Sequence, residues 1–214
     1  GSLDAYIEAK AMLFDSLAFA VPKTGVSKLA VLNQDDDQSY EYLRERLQVD
    51  YADYGLQSSA ATHAEHIRSE GAGTRFDVQT DGERFSVETA LPGEYNVANC
   101  LAAIAATRNG LGIAIESVEA GIATMRAIAG RMERINLGQN FEAVVDFAHT
   151  PNSLRELLRA VRKETAGRII VVFGSAGLRD VAKRSWMGSV AAQLADVAVI
   201  TAEDPRTESL ADIM

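Results

Sequence analysis

Apolar residues recur at helical spacing from the start of the chain. Leu3, Ile7, Ala11 with Met12, Phe14 and Leu17 predict a helix over Leu3–Phe19, closed by Pro22 and Gly25. Lys28–Leu32 is a short apolar run that predicts a buried strand, and it leads into the polar turn Asn33-Gln34-Asp35-Asp36-Asp37. Asp35 or Asp36 is placed to cap a helix over Gln38–Leu47, its carboxylate accepting from a first-turn amide. Between Val49 and Ala90 the pattern changes. Thr62–Arg68 alternates loosely and holds His63 and His66, which receive no role. Arg75–Thr80 and Arg84–Thr89 flank Asp81-Gly82 and predict a hairpin, because both central turn positions then want positive φ. Leu91-Pro92-Gly93 breaks the sheet before an alanine-rich helix over Asn96–Asn109, stopped by Gly110. A second helix near Ile115–Arg126 ends at Ala129-Gly130.

After Gly130 the alternation becomes regular: strand Phe141–Asp146, helix Ser153–Lys163, strand Arg168–Phe173, helix Val181–Leu194, strand Val197–Thr201. Short connections between such elements predict a parallel sheet with right-handed crossovers. The expected class is therefore α/β, in two domains. Residues 1–129 carry a mixed sheet with an antiparallel hairpin, and residues 130–214 begin a parallel-sheet domain with fewer strands than a doubly wound domain usually has. The second domain reads as cut short.

Composition narrows the function. The chain has 214 residues, 47% of them hydrophobic and 24% charged, with four prolines, so it can bury a real core. No apolar run reaches the roughly 18 residues of a membrane span. The polar, acid-bearing Gly1–Lys10 does not read as a leader. Cys100 is the single cysteine, which excludes disulfide scaffolds and multi-cysteine zinc sites and fits a reducing, cytoplasmic setting. A net charge of -9 argues against nucleic acid as a partner. Small anions stay open, because a few amides and arginines suffice to hold them.

The candidate chemistry sits where strands of the second domain end. Asp146-Phe147-Ala148-His149-Thr150-Pro151-Asn152 follows the first strand, and Gly174-Ser175-Ala176-Gly177-Leu178-Arg179-Asp180 with Lys183-Arg184 follows the second. Thr201-Ala202-Glu203-Asp204-Pro205-Arg206 follows the third. Parallel strands would line all three along one edge, where ligand crevices form, with Arg179, Lys183, Arg184 and Arg206 bringing positive charge to it. Each is equally an ordinary solvated loop residue when taken singly. Gly174–Gly177 is a weak phosphate-loop signal, and no Gly-Lys-Ser/Thr ending occurs in these residues. His149 suits a general base, a phosphate contact or plain hydrogen-bonded structure. Asn96 and Asn99 read as a helix cap and a first-turn residue. Lys10 reads as solvent-facing.

Taken together and in order, these segments resemble the Mur ligase family, and within it the MurE branch. The resemblance starts with Asp4-Ala5-Tyr6-Ile7-Glu8-Ala9-Lys10 and the Asn33-Gln34-Asp35-Asp36 turn. It runs through Gly93-Glu94-Tyr95-Asn96-Val97-Ala98-Asn99, Gly130-Arg131-Met132-Glu133-Arg134 and Val145-Asp146-Phe147-Ala148-His149-Thr150-Pro151. It ends with the Arg179-Asp180/Lys183-Arg184 loop and Asp204-Pro205-Arg206.

The resemblance implies a three-domain, ATP- and magnesium-dependent ligase of peptidoglycan precursor synthesis, with a UDP-sugar domain, a central ATPase domain and a C-terminal Rossmann-like domain. Against that pattern the UDP-sugar domain, the P-loop portion of the central domain and the later strands of the last domain are missing, so the chain reads as a fragment, inactive alone. The implied reaction phosphorylates the D-glutamate carboxylate of UDP-N-acetylmuramoyl-L-alanyl-D-glutamate, and an incoming amine displaces phosphate from the acyl-phosphate. By resemblance, Lys10 matches a lysine carbamylated to become a metal ligand. Asn96 and Asn99 border the adenine, Arg131 and Asp146 contact ribose and phosphate, and His149 and Lys183 join the catalytic set. Arg179 with Glu203, Asp204, Pro205 and Arg206 matches the pocket for the free amino acid. The family implies a monomer with no membrane partner. Asp204 departs from a usual asparagine, and Ala176, Leu178 and Ser185 replace usual Gly, Asp and Pro. Arg206 favours meso-diaminopimelate as acceptor, while Asp204 leaves lysine or ornithine open. A folylpolyglutamate-type synthetase and a non-catalytic Mur-like binding module are the alternatives.

Overall fold

The computed structural model describes residues 3–57, 59–70 and 73–214. The Gly1-Ser2 pair, which reads from sequence as a cloning remnant, lies outside the described residues, as does the Leu3 side chain. The chain forms two compact units, Gly1–Ala127 and Ile128–Met214.

The first unit opens with helix α1 (Leu3–Phe19), strand β1 (Leu29–Asn33) and helix α2 (Asp37–Arg46). Asp36 caps α2, accepting from the Ser39 amide at 3.3 Å, while Asp35 accepts from the Leu56 amide at 2.7 Å. Strands β2 (Asp50–Gly55), β3 (Thr62–Glu70), β4 (Gly73–Thr80) and β5 (Glu83–Thr89) complete a sheet in the order β1-β2-β3-β4-β5. Its first two pairings are parallel and its last two antiparallel, which is the expected mixed sheet. The hairpin turn has Asp81 at φ 47° and Gly82 at φ 78°, the positive pair its sequence calls for. Strand β2 carries no strand signal in sequence, because Asp50, Tyr51 and Asp53 are polar; Ala52 and Gly55 are buried and Tyr54 packs half-buried against the core.

Helix α3 (Glu94–Ile104) continues into a π-helical turn over Ala105–Asn109, and α4 (Ile115–Thr124) follows. The predicted uninterrupted helix is thus corrected at its end: the wider turn carries the Asn109 amide to 3.3 Å from the Thr80 hydroxyl, inside a buried Thr62–Thr80 pair. Phe76, Val78 and Val87 of the sheet close on Val97, Leu101 and Ile104 of α3 to form the core. Each such apolar side chain contributes about 1.5–3 kcal/mol by leaving water.

The second unit contains β6 (Glu133–Ile135), β7 (Ala143–Val145), α5 (Pro151–Glu164), β8 (Ile170–Phe173), α6 (Ala182–Leu194), β9 (Val197–Ile200) and α7 (Leu210–Ile213). Strands β8 and β9 are parallel. The expected third parallel strand is corrected, because β7 gives its backbone hydrogen bonds to β6 in an antiparallel ladder and not to β8. Leu154 and Leu158 of α5 meet Val171 of β8 and Met187, Val190 and Ala191 of α6 in one core. No helix among the described residues is long and apolar enough to cross a membrane.

Candidate functional site

In the first unit, Lys10 stands exposed on α1 with Nζ 4.5 Å from the centre of the Tyr6 ring. Asn96 is not the cap of α3. Gly93 occupies that position at φ 93°, and Asn96 lies buried inside the first turn. Its Nδ2 donates to the Pro92 carbonyl at 2.8 Å, so the side chain ties the Pro-Gly break to the helix that it starts. Its Oδ1 accepts from Nδ2 of the exposed Asn99 at 3.4 Å.

In the second unit, one cluster gathers around Phe147. The Asp146 carboxylate accepts from the Met132 amide at 2.8 Å and from the Ala148 amide at 2.9 Å, joining the turn before β6 to the end of β7. Arg131 lies with its guanidinium carbon 4.4 Å from the Phe147 ring centre, a cation–π contact, and the His149 ring meets Phe147 edge-on at 4.8 Å. Lys183 Nζ donates to the His149 carbonyl at 3.1 Å. Thr150 and Ser153 form a reciprocal capping box with Pro151 in the first turn, which starts α5 two residues before the predicted Ser153. The structure therefore brings Arg131, Asp146, His149 and Lys183 together. Phe147, 57% exposed, is the member that sequence reasoning passed over.

The loops after β8 and β9 meet each other. Gly174 and Gly177 do not form a phosphate cradle: a Cβ on Gly177 would stand 2.0 Å from the Pro205 carbonyl oxygen, and one on Gly174 2.5 Å from that of Thr201. The glycines are needed because two backbones touch there. The Gly177 amide already donates to the Asp204 carbonyl at 2.8 Å, and the Leu178 amide to Glu208 Oε2 at 2.8 Å. Arg184, expected to add free positive charge, instead makes a two-pronged pair with Glu208 at 2.7 and 2.8 Å. Arg184 and the Leu178 amide hold the Glu208 carboxyl down at about 2, and the same pair raises the Arg184 pKa. Arg206 sits at φ 52° with its amide 3.1 Å from Asp204 Oδ1 and its Nε 3.6 Å from Asp204 Oδ2. Arg179 is exposed and makes no ion pair among the described residues, and Glu203 is exposed beside Gly174. Pro205 accepts from the Glu208 amide at 2.9 Å and so closes the turn that carries Arg206.

Two family profiles cover most of the chain: the Mur ligase middle domain matches residues 1–107, and the Mur ligase glutamate ligase domain matches residues 130–214. The chain belongs to the Mur ligase family. It is 41% identical over 214 residues to the UDP-N-acetylmuramoyl-L-alanyl-D-glutamate–2,6-diaminopimelate ligase of Solibacter usitatus, covering 100% of this chain and 42% of that relative. A solved diaminopimelate ligase of the same description is 30% identical, with a TM-score of 0.58 over 100% of this chain and 43% of its own. The folylpolyglutamate synthetase of Lactobacillus casei matches with a TM-score of 0.61 at 18% identity, over 92% of this chain and 47% of that one; this likeness shows the Mur-type fold alone. The chain thus spans less than half the length of its diaminopimelate ligase relatives.

Proposed function

We propose that these residues belong to an ADP-forming ligase of peptidoglycan precursor synthesis that joins meso-diaminopimelate to UDP-N-acetylmuramoyl-L-alanyl-D-glutamate. The observation that carries the reading is the 41% identity to a diaminopimelate ligase along all 214 residues. Residues 1–129 are read as the central ATPase domain without its P-loop portion, and residues 130–214 as the first part of the C-terminal domain. Ligase turnover belongs to a protein of the relatives' full length.

In this reading, Asn96 and Asn99 border the adenine. Arg131 and Asp146 serve the ribose and phosphates, where Asp146 acts chiefly by shaping the turn that holds Arg131. Exposed Phe147 offers a flat apolar face to the nucleotide, and Arg131 and Lys183 offset phosphate charge as the γ-phosphoryl group passes to the D-glutamate carboxylate. His149 stands beside them, positioned to hold or accept a proton from the attacking amine. Arg179 and Arg206 grip carboxylates of the acceptor. The amine then attacks the acyl-phosphate carbon and inorganic phosphate leaves.

Magnesium is the expected companion of ATP. Among the described residues, no group of three or more His, Cys, Asp and Glu side chains is placed to hold a metal, so Lys10, carbamylated, would supply at most one ligand. These residues by themselves do not compose a magnesium site. The protein is read as a cytoplasmic monomer. The test is steady-state ADP release by the protein at the full length of its relatives, with kcat/KM compared for meso-diaminopimelate and L-lysine. A clear preference for meso-diaminopimelate is expected, and equal or better use of lysine refutes the acceptor assignment.

A further inference from the structure

We propose that Glu208 is a positioning residue that locks the loop bearing Arg179 to the loop bearing Arg206, so that both guanidinium groups meet the acceptor amino acid together. The inference rests on the reading above of those arginines as acceptor contacts.

Glu208 lies two residues after Arg206, yet its carboxylate is engaged by the segment that follows β8: the first turn of α6 and the loop leading into it. Oε1 and Oε2 take the two terminal nitrogens of Arg184, and Oε2 also takes the Leu178 amide, directly before Arg179. Its own amide donates back to Pro205, directly before Arg206. One residue therefore holds the neighbours of both arginines. The Gly177 amide adds a further strand-like bond to the Asp204 carbonyl.

The backbone shows why a lock is needed. Leu178 at φ 55° and Arg206 at φ 52° both occupy the left-handed region, which side-chain-bearing residues leave unless something holds them. Each stands next to or at one of the two arginines. The Arg184 side chain is only 10% exposed and its Nε is buried with no hydrogen-bond partner among the described residues, so it serves Glu208 rather than a ligand in solvent. A carboxylate is the fitting group here, because only its two oxygens can accept the arginine fork and the amide at once.

Two measurements test this. In the 214-residue chain, ¹H–¹⁵N spectra of Glu208→Gln should show the Leu178 amide losing its hydrogen-bonded shift and the Nε–H signals of both Arg179 and Arg206 moving. In the protein at the relatives' length, the same variant should raise the acceptor KM about tenfold, with the KM for ATP within about twofold of wild type. If Glu208→Gln does not fold, Glu208→Gln with Arg184→Met removes the stranded cation and takes its place in both assays. An unmoved Arg206 signal overturns the lock, and so does a parallel rise in both KM values with a lower Tm, which marks a merely structural role. A wild type that uses no diacid amino acid, while Glu208→Gln still moves both arginine signals, defeats the acceptor reading and leaves the lock standing.

Discussion

Arg184 and Glu208, 24 residues apart, form a two-pronged ion pair whose arginine side chain is only 10% exposed. The pair makes stability depend on pH in a stated direction. Glu208 is held at about 2 from an ordinary 4.5, so it binds fewer protons folded than unfolded, and its contribution is present above the unfolded value. That contribution fades as pH falls from about 4.5 towards 2. Thermal melts across this range should show the wild type losing more Tm than Glu208→Gln with Arg184→Met, which lacks the titrating group. Parallel losses in the two proteins would refute the assignment.

Lys10 offers a cleaner separation of fold and function. Its side chain is exposed and lies over the Tyr6 ring, so Lys10→Ala should change stability by no more than about 0.5 kcal/mol. Ligase turnover in the protein at full relative length should nevertheless fall by orders of magnitude, with part of it restored by short carboxylic acids that stand in for the carbamate. Turnover that survives Lys10→Ala contradicts the carbamate role.

At the proposed acceptor pocket, Asp204 already partners Arg206 at 3.6 Å and would compete for it with a distal carboxylate. Asp204→Asn should therefore improve kcat/KM for meso-diaminopimelate several-fold. Arg206→Ala should cost about 1–2 kcal/mol of transition-state stabilisation, discounted from a buried pair because the Arg206 side chain is 38% exposed. Unchanged diaminopimelate kinetics in both variants would remove Arg206 from the pocket.

Much of the architecture was legible because it is local. Asp81-Gly82 announces its hairpin through two backbone torsions, and the apolar runs at Ile169–Phe173 and Val197–Ile200 announce two strands. Strand β2 escaped because Asp53 is polar for reasons of position: it accepts from the Tyr40 hydroxyl at 2.9 Å and the Ala61 amide at 2.6 Å. Asn96 reads as a cap from its place after Pro-Gly, but Gly93 alone reaches φ 93° without strain, which pushes the asparagine inward. Glu208 left no signal at all. Its partner lies across a helix and a strand, and neither hydrophobic period nor turn chemistry links residues that far apart in sequence.

If these loops hold the acceptor as proposed, the close approach at Gly177 decides how its preference can be re-engineered. With a Pro205 carbonyl where a methyl group would have to go, the two loops form a single moulded part, and Gly177→Ala should unseat both. A graft of 201–208 from a relative with another acceptor should fail to transfer its preference, whereas 174–184 and 201–208 moved as one should carry it across. Measuring kcat/KM for both amino acids on the single and paired grafts decides this, and equal transfer by the single graft would refute it. Selection for a new acceptor would then proceed by exchange of matched halves, with point changes in either loop alone stalling at the seam.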